Sequence, residues 1–118
     1  MEKKDLKERT KHFALKVIKV VEMLPRGRIA DILGRQLLRS GTSVGGNYRS
    51  ACRAKSTADF ISKMGIIEEE ADETIYWMEL LIEAGLVRKD DLISLLDEAN
   101  QILAITISSI KTARRSEK

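Results

Sequence analysis

The sequence predicts an all-α protein, folded as an antiparallel up-down-up-down four-helix bundle. Three observations lead to this fold class. Apolar residues recur every three or four positions through four long segments, which is the spacing of one face of a helix. The breaks between these segments are short and hold residues that end or start helices. One proline and 4% aromatic residues are too few for a β-sandwich or barrel, in which turns recur about every 8–12 residues.

Each break carries a stop or start signal. Pro25-Arg-Gly27 ends helix one, because proline cannot continue a helix and glycine opens a turn. Ser56-Thr-Ala-Asp59 has the spacing of a capping box at the start of helix three, and Gly85 indicates the C-terminal cap of that helix. Asp90 or Asp91 is expected to cap helix four. The helices of this single 118-residue domain are predicted at about residues 5–24, 29–55, 57–84 and 90–115.

Helix two is the least obvious of the four, because Gly41, Gly45 and Gly46 lie inside it. An interior glycine costs about 1 kcal/mol relative to alanine, so propensity alone would break the helix there. The apolar period nevertheless keeps its phase from Leu33 to Ala51, and a loop would usually reset it. We therefore expect one continuous helix, whose glycines let a neighbouring backbone approach closely.

Charge is divided unevenly along the chain. Residues 1–56 carry 14 Lys/Arg and 5 Asp/Glu, a balance of +9, whereas residues 57–118 carry 7 and 13, a balance of −6. The two halves are expected to attract one another, within a subunit or between subunits. The other interpretation of the N-terminal half is a basic surface that binds an anionic partner.

The remaining composition indicates the setting of the protein. No apolar run approaches the ~18 residues of a membrane span, and the N-terminus lacks the apolar region of a signal peptide. The lone cysteine, Cys52, cannot form an internal disulfide, which fits a reducing compartment. We expect a soluble, cytoplasmic protein without membrane contact.

Three segments together resemble a known family. They are Gly34–Arg49, Ala58–Lys63 and Glu70–Leu81, and the resemblance extends over nearly the whole chain. The chain is similar to the four-helix-bundle proteins related to the 23S ribosomal RNA intervening-sequence protein, a family also likened to the accessory variability protein of diversity-generating retroelements. The resemblance implies a continuous helix two and ring-like homo-oligomers, often pentamers. It also implies association with nucleic acid.

Helix two carries an arginine stripe, defined by five arginines within an arc of roughly 80° when successive residues turn by about 100°. Thr42 and Gly46 lie in the same arc, so small residues interrupt the stripe near its middle. Arginine suits phosphate because its planar fork donates two parallel hydrogen bonds. The stripe therefore predicts an RNA-binding or other anion-binding face, and the alternatives are a solvated face or ion pairing with the acidic helix three. Its members are Arg28, Arg35, Arg39, Arg49 and Arg53.

Trp77 lies roughly 100–120° from the predicted core face of helix three. Ile66, Leu80 and Leu81 are its apolar neighbours, which indicates a second buried surface outside the bundle core. We interpret this surface as a subunit contact. The alternative is a tryptophan on the shoulder of the bundle, partly covered by its own chain. The predicted contact consists of Gly46, Ile66, Glu73, Trp77 and Leu80.

The sequence gives no pattern typical of catalysis, metal binding or a cofactor. A di-metal bundle site usually needs two Glu-x-x-His motifs, and the single histidine, His12, belongs to none. Gly41 and Gly46 have the spacing of a phosphate loop, but Asn47-Tyr48 follows where Lys-Ser/Thr is required. We therefore expect a non-enzymatic oligomer that acts as a binding or scaffold module for RNA or a nucleic-acid enzyme. The alternative is a purely structural, self-assembling protein with no nucleic-acid role.

Overall fold

The structure is a computed structural model that describes residues 3–116, with side chains from Leu6 onwards. Four helices account for most of this range, and no strand occurs within it, so the all-α prediction is confirmed. The molecule is elongated, with extents of 50 × 21 × 20 Å. The helices are α1 (Lys3–Glu22), α2 (Arg28–Ala51), α3 (Thr57–Glu83) and α4 (Lys89–Ser116).

Consecutive helices pack side by side and run in opposite directions. Gly41 of α2 lies against Val17 of α1, whereas Gly45, further along α2, lies against Thr10, which is earlier in α1. The hydroxyl oxygens of Ser40 on α2 and Thr74 on α3 lie 2.9 Å apart. The seam between α1 and α4 is the least extensive of the four, and the bidentate contact of the Arg9 guanidinium with Glu98 bridges it at 2.7 and 2.9 Å.

The glycines of α2 do not break the helix, as the phase of its apolar residues predicts. A Cβ added to Gly41 would lie 2.8 Å from a methyl carbon of Val17, and one added to Gly34 would lie 2.8 Å from a methyl carbon of Leu24. Both distances are shorter than ordinary van der Waals contact. The stiff, β-branched Val17 leaves no room for a side chain at Gly41, whereas the terminal methyl group of Leu24 could move to make room at Gly34. The energy lost from helix propensity is offset by the close packing of α1 on α2.

The core is apolar but contains, among the described residues, four buried threonine and serine side chains, Thr10, Ser40, Thr74 and Thr106. Each of them donates to a backbone carbonyl oxygen of its own helix, and Thr74 Oγ1 also lies 2.9 Å from Ser40 Oγ. Since an unpaired buried polar group costs free energy, this pairing favours one register of α2 against α3. Leu81 is fully buried in the core. The prediction that it flanks Trp77 on the outer surface is wrong.

Several helix ends differ from their predicted positions. Helix α1 ends at Glu22, before Leu24, because the residue preceding Pro25 is sterically driven out of helical conformation. Helix α2 ends at Ala51, four residues before the predicted end, and the chain then turns so that Ser56 can start α3. Helix α4 begins at Lys89, so Asp90 and Asp91 lie in its first turn and do not cap it. In the first turn, their negative charges interact favourably with the positive N-terminal end of the helix dipole.

The caps of α3 form as predicted. Ser56 Oγ accepts from the backbone N–H of Asp59 at 3.0 Å, and an Asp59 carboxylate oxygen accepts from the backbone N–H of Lys55 at 3.1 Å. The hydrogen bond from Lys63 is the main cause that lowers the pKa of Asp59. At the other end, Gly85 has a φ of 76°, and the Leu86 N–H donates to Leu81 O at 3.0 Å. This is the Schellman pattern of a helix C-terminus.

Replacing Ser56 with alanine is expected to lower the free energy of unfolding by about 1 kcal/mol, because a backbone donor of the first turn of α3 loses its partner. Urea denaturation measures the change. Ser62→Ala is the matched control, since Ser62 is an exposed serine inside α3. An equal loss of stability in both variants would contradict the role of the cap.

Candidate functional surfaces

The arginine stripe is divided in the structure, because Arg39 turns towards α3. Its Nη1 donates to Glu70 Oε1 at 3.1 Å, and its Nη2 donates to Glu73 Oε1. The Arg39 side chain remains 47% exposed, so each ion pair contributes little to stability alone. Two carboxylates nevertheless neutralise its charge, and this member of the stripe contributes little attraction for an outside anion.

The other stripe residues stay on the solvent side. Arg35 pairs with Asp31 on its own helix at 2.9 Å, with both side chains mostly exposed. Arg28 and Arg49 are exposed, and neither has an ion-pair partner among the side chains of residues 6–116. Arg53 is exposed too, but it lies in the turn after α2 and does not continue the stripe on the helix.

Arg28 and Arg49 border two open grooves between α1 and α2. One groove, of about 480 Å³, lies at the N-terminal end of α1 and is called the basic groove here. A second groove, of about 490 Å³, lies at the α1–α2 turn and is lined by Arg26, Arg28 and Arg35. The basic groove is lined by Lys7, Glu8, Thr10, Lys11, Ala14, Thr42, Gly45, Gly46 and Arg49. Cations of two helices therefore lie along one side of the molecule.

Trp77 lies at the border between the core and the surface. Its ring is partly buried against the core, its Nε1 donates to Glu73 Oε1 at 3.1 Å, and it contacts Tyr76 edge-on with ring centroids 5.2 Å apart. Glu73 Oε1 thus accepts from both Trp77 and Arg39. The position agrees with a tryptophan on the shoulder of the bundle, yet part of the ring remains open to solvent.

Apolar side chains surround this hydrogen-bonded group. Ile66 is 41% exposed and lies two turns before Glu73, and Leu80 lies two turns after it, so all three share one side of α3. Ile32 is 50% exposed and lies two turns before Arg39 on α2. The outer surface formed by these residues is called the α2/α3 face. Its members are Ile32, Arg39, Ile66, Glu73, Trp77 and Leu80.

Gly46, the fifth residue of the predicted contact, lies two turns after Arg39 on the outer side of α2. It is exposed, it lines the basic groove, and a Cβ added to it would meet nothing within 4 Å. Sequence reasoning also missed Lys7 and Lys11, which the packing of α1 on α2 brings to the same groove. Their spacing of four residues on one helix was the available signal.

Within residues 3–116, no three His, Cys, Asp or Glu side chains lie close enough together to hold a metal ion. No helix in this part of the chain is both long and apolar enough to cross a membrane. Cys52 is a free, partly buried thiol beside Tyr48. Burial, and then the hydrogen bond with Cys52, raise the pKa of Tyr48 above its usual range.

The fold and these surfaces define a class: an all-α bundle with a basic side and a partly apolar outer face. The chain belongs to the family of the 23S rRNA-intervening sequence protein, whose family model matches residues 2–108. A crystal structure from Bacteroides thetaiotaomicron, of a protein with unknown function from the S23 ribosomal protein family, is also similar. It is 36% identical with a TM-score of 0.87, covering 94% of this chain and 99% of that chain. Comparison with the curated proteins gives no match.

Proposed function

We propose that this chain is a non-enzymatic binding protein of the cytoplasm that assembles with copies of itself and associates with RNA through the basic side of α2. One observation carries the RNA part of the proposal. Arg28 and Arg49 are exposed and form no ion pair among the side chains of residues 6–116, and they border grooves whose other cations come from α1, the α1–α2 turn and Arg35 of α2. The 23S rRNA in the family's description supports RNA as the anion.

The α2/α3 face supports the assembly part of the proposal. Ile32 and Ile66 leave apolar surface exposed on both sides of the hydrogen bonds among Arg39, Glu73 and Trp77. A tryptophan with a satisfied N–H, surrounded by aliphatic side chains, is typical of the centre of a protein interface. We propose a homo-oligomer held together by this face, with five subunits, as the family resemblance implies.

The second candidate function is a self-assembling protein with no nucleic-acid role. The ion pairs of Arg39 with Glu70 and Glu73 favour it, because they show that acids of α3 neutralise at least one arginine of the stripe. The two candidates differ in what they predict for Arg28 and Arg49. RNA binding requires these two arginines, whereas self-assembly alone gives them no role.

We expect the wild-type protein to bind single-stranded RNA with an affinity that falls steeply with salt, since each neutralised phosphate contributes about −0.7 to the slope of log K against log[salt]. The double variant Arg28→Ala, Arg49→Ala should flatten this slope by about 1.4. Fluorescence anisotropy of a labelled RNA over a salt series measures both quantities.

The matched control for this experiment is Arg88→Ala with Lys111→Ala, which removes two exposed cations of the α3–α4 side of the bundle. This pair should leave the slope unchanged. A wild-type protein that binds no RNA at ~50 mM salt, where such contacts are strong, would exclude RNA association and leave self-assembly as the function.

A further inference from the structure

The basic groove differs from the rest of the surface in the way its cations are arranged. Lys7 and Lys11 lie one turn apart on α1, and Arg49 faces them from α2 across the groove. None of the three has an ion-pair partner among the described residues. Like charges one turn apart repel each other, and an anion between them removes that repulsion. The arrangement is therefore suited to a negatively charged ligand.

The two glycines in the wall of the groove have different effects. A Cβ added to Gly45 would lie 3.3 Å from both the backbone oxygen and the hydroxyl oxygen of Thr10, so Gly45 sets how closely α1 and α2 approach. A Cβ added to Gly46 would project into open space. Gly46 therefore leaves the groove wide enough for an extended chain of phosphates to reach the cations on both helices.

The donors of the groove are its three cations. Thr42 is also in the wall, but its hydroxyl already donates to Leu38 O at 2.8 Å. Glu8 is the one acidic group in the lining, and its exposed carboxylate repels anions. An anion that binds there must contact several of the cations to offset this repulsion. These features favour a polyanion with regularly spaced single charges, which describes a nucleic-acid backbone.

We infer that the basic groove is the site where the backbone phosphates of an RNA strand bind, contacted by Lys7 and Lys11 of α1 and by Arg49 of α2. The inference rests on the proposed function and identifies the part of the surface that performs it. It assigns two lysines of α1 to RNA binding and leaves Arg39 to the α2/α3 face.

The experiment compares two pairs of lysines in the full chain by anisotropy of a labelled oligouridine. The double variant Lys7→Ala, Lys11→Ala should lose about tenfold or more in affinity at ~50 mM salt, and its salt slope should flatten by about 1.4. The control, Lys16→Ala with Lys19→Ala, removes the same charge from exposed positions of the same helix outside the groove. Equal losses in both variants would show diffuse attraction to α1 and overturn the assignment.

A pair of glycine variants tests the shape of the groove without changing charge. Gly46→Leu should reduce RNA affinity at least severalfold, while circular dichroism remains that of the wild type. Gly65→Leu is the control, because Gly65 of α3 also has nothing within 4 Å of an added Cβ. Unchanged RNA binding in Gly46→Leu would overturn the role of the open groove.

Three further outcomes separate this inference from the proposed function. A wild-type protein that binds no oligouridine rejects RNA association itself, and the assignment of the groove falls with it. If RNA binds but the groove variants match their controls, only the assignment of the groove is wrong. A third result would be saturable binding of inorganic pyrophosphate that is lost in Lys7→Ala, Lys11→Ala while RNA binding of that variant is unaffected. It would show that the groove binds a small phosphate ligand and would contradict the inference that the groove binds RNA.

Discussion

Replacing Trp77 with alanine is expected to shift the proposed homo-oligomer to smaller species while its helical content persists. The indole lies at the centre of the α2/α3 face and makes a hydrogen bond to Glu73 that fixes its orientation. A buried tryptophan at an interface commonly contributes 2 kcal/mol or more, which weakens each subunit contact about 30-fold when it is lost. Light scattering gives the mass, and circular dichroism gives the helical content.

Two further variants isolate the interface from the core. Trp77 also packs against its own core, so Ile66→Ser tests the α2/α3 face at a position that the core does not need. Ile93→Ala is the control, because Ile93 is comparably exposed on α4. A monomeric wild type at tens of micromolar, or an unchanged mass in both Trp77→Ala and Ile66→Ser, would refute assembly through this face.

Gly41→Leu is expected to lower the free energy of unfolding by about 1–3 kcal/mol, even though leucine favours helix more than glycine does. The added Cβ would lie 2.8 and 2.9 Å from the two methyl carbons of Val17, a branched side chain with few alternative rotamers. Helices α1 and α2 must then separate. Chemical denaturation, followed by circular dichroism, measures the loss.

Gly46→Leu provides the comparison within the same helix. Nothing lies within 4 Å of its added Cβ, and a gain in helix propensity of up to about 1 kcal/mol is expected. The free energy of unfolding should therefore be unchanged or higher in this variant. If Gly41→Leu were as stable as Gly46→Leu, close packing of α1 on α2 at Gly41 would not be needed for the fold.

Helical periodicity predicted most of the fold, because the spacing of apolar residues can be recognised in each segment without knowledge of the other segments. The continuity of α2 through Gly41 followed from it, and so did the caps at Ser56 and Gly85. The end of α2 was less predictable, because Ala51 and Lys55 differ little in local signals. The helix ends at Ala51, and residues 52–55 form the turn that leads to Ser56, the N-cap of α3.

The surfaces were harder to predict, because a helical wheel gives the direction of a side chain but not its partner. Arg39 belonged to the arginine stripe by direction, yet Glu70 and Glu73, more than 30 positions away, neutralise it once α3 packs beside α2. Lys7 and Lys11 line the basic groove because α1 packs on α2, and this packing could not be predicted from a helical wheel either. Pairing between helices decides which charges remain available.

The order of packing also separates charge across the width of the molecule. Helices α1 and α2, from the half with a balance of +9, lie side by side, and the acids of α3 lie on the neighbouring side. This asymmetry gives the bundle an electric dipole across its short axis, which is about 21 Å wide, roughly twice the Debye length at 0.1 M salt. If the protein binds a polyanion as proposed, that dipole would orient it during approach and raise the rate of productive encounters at low salt.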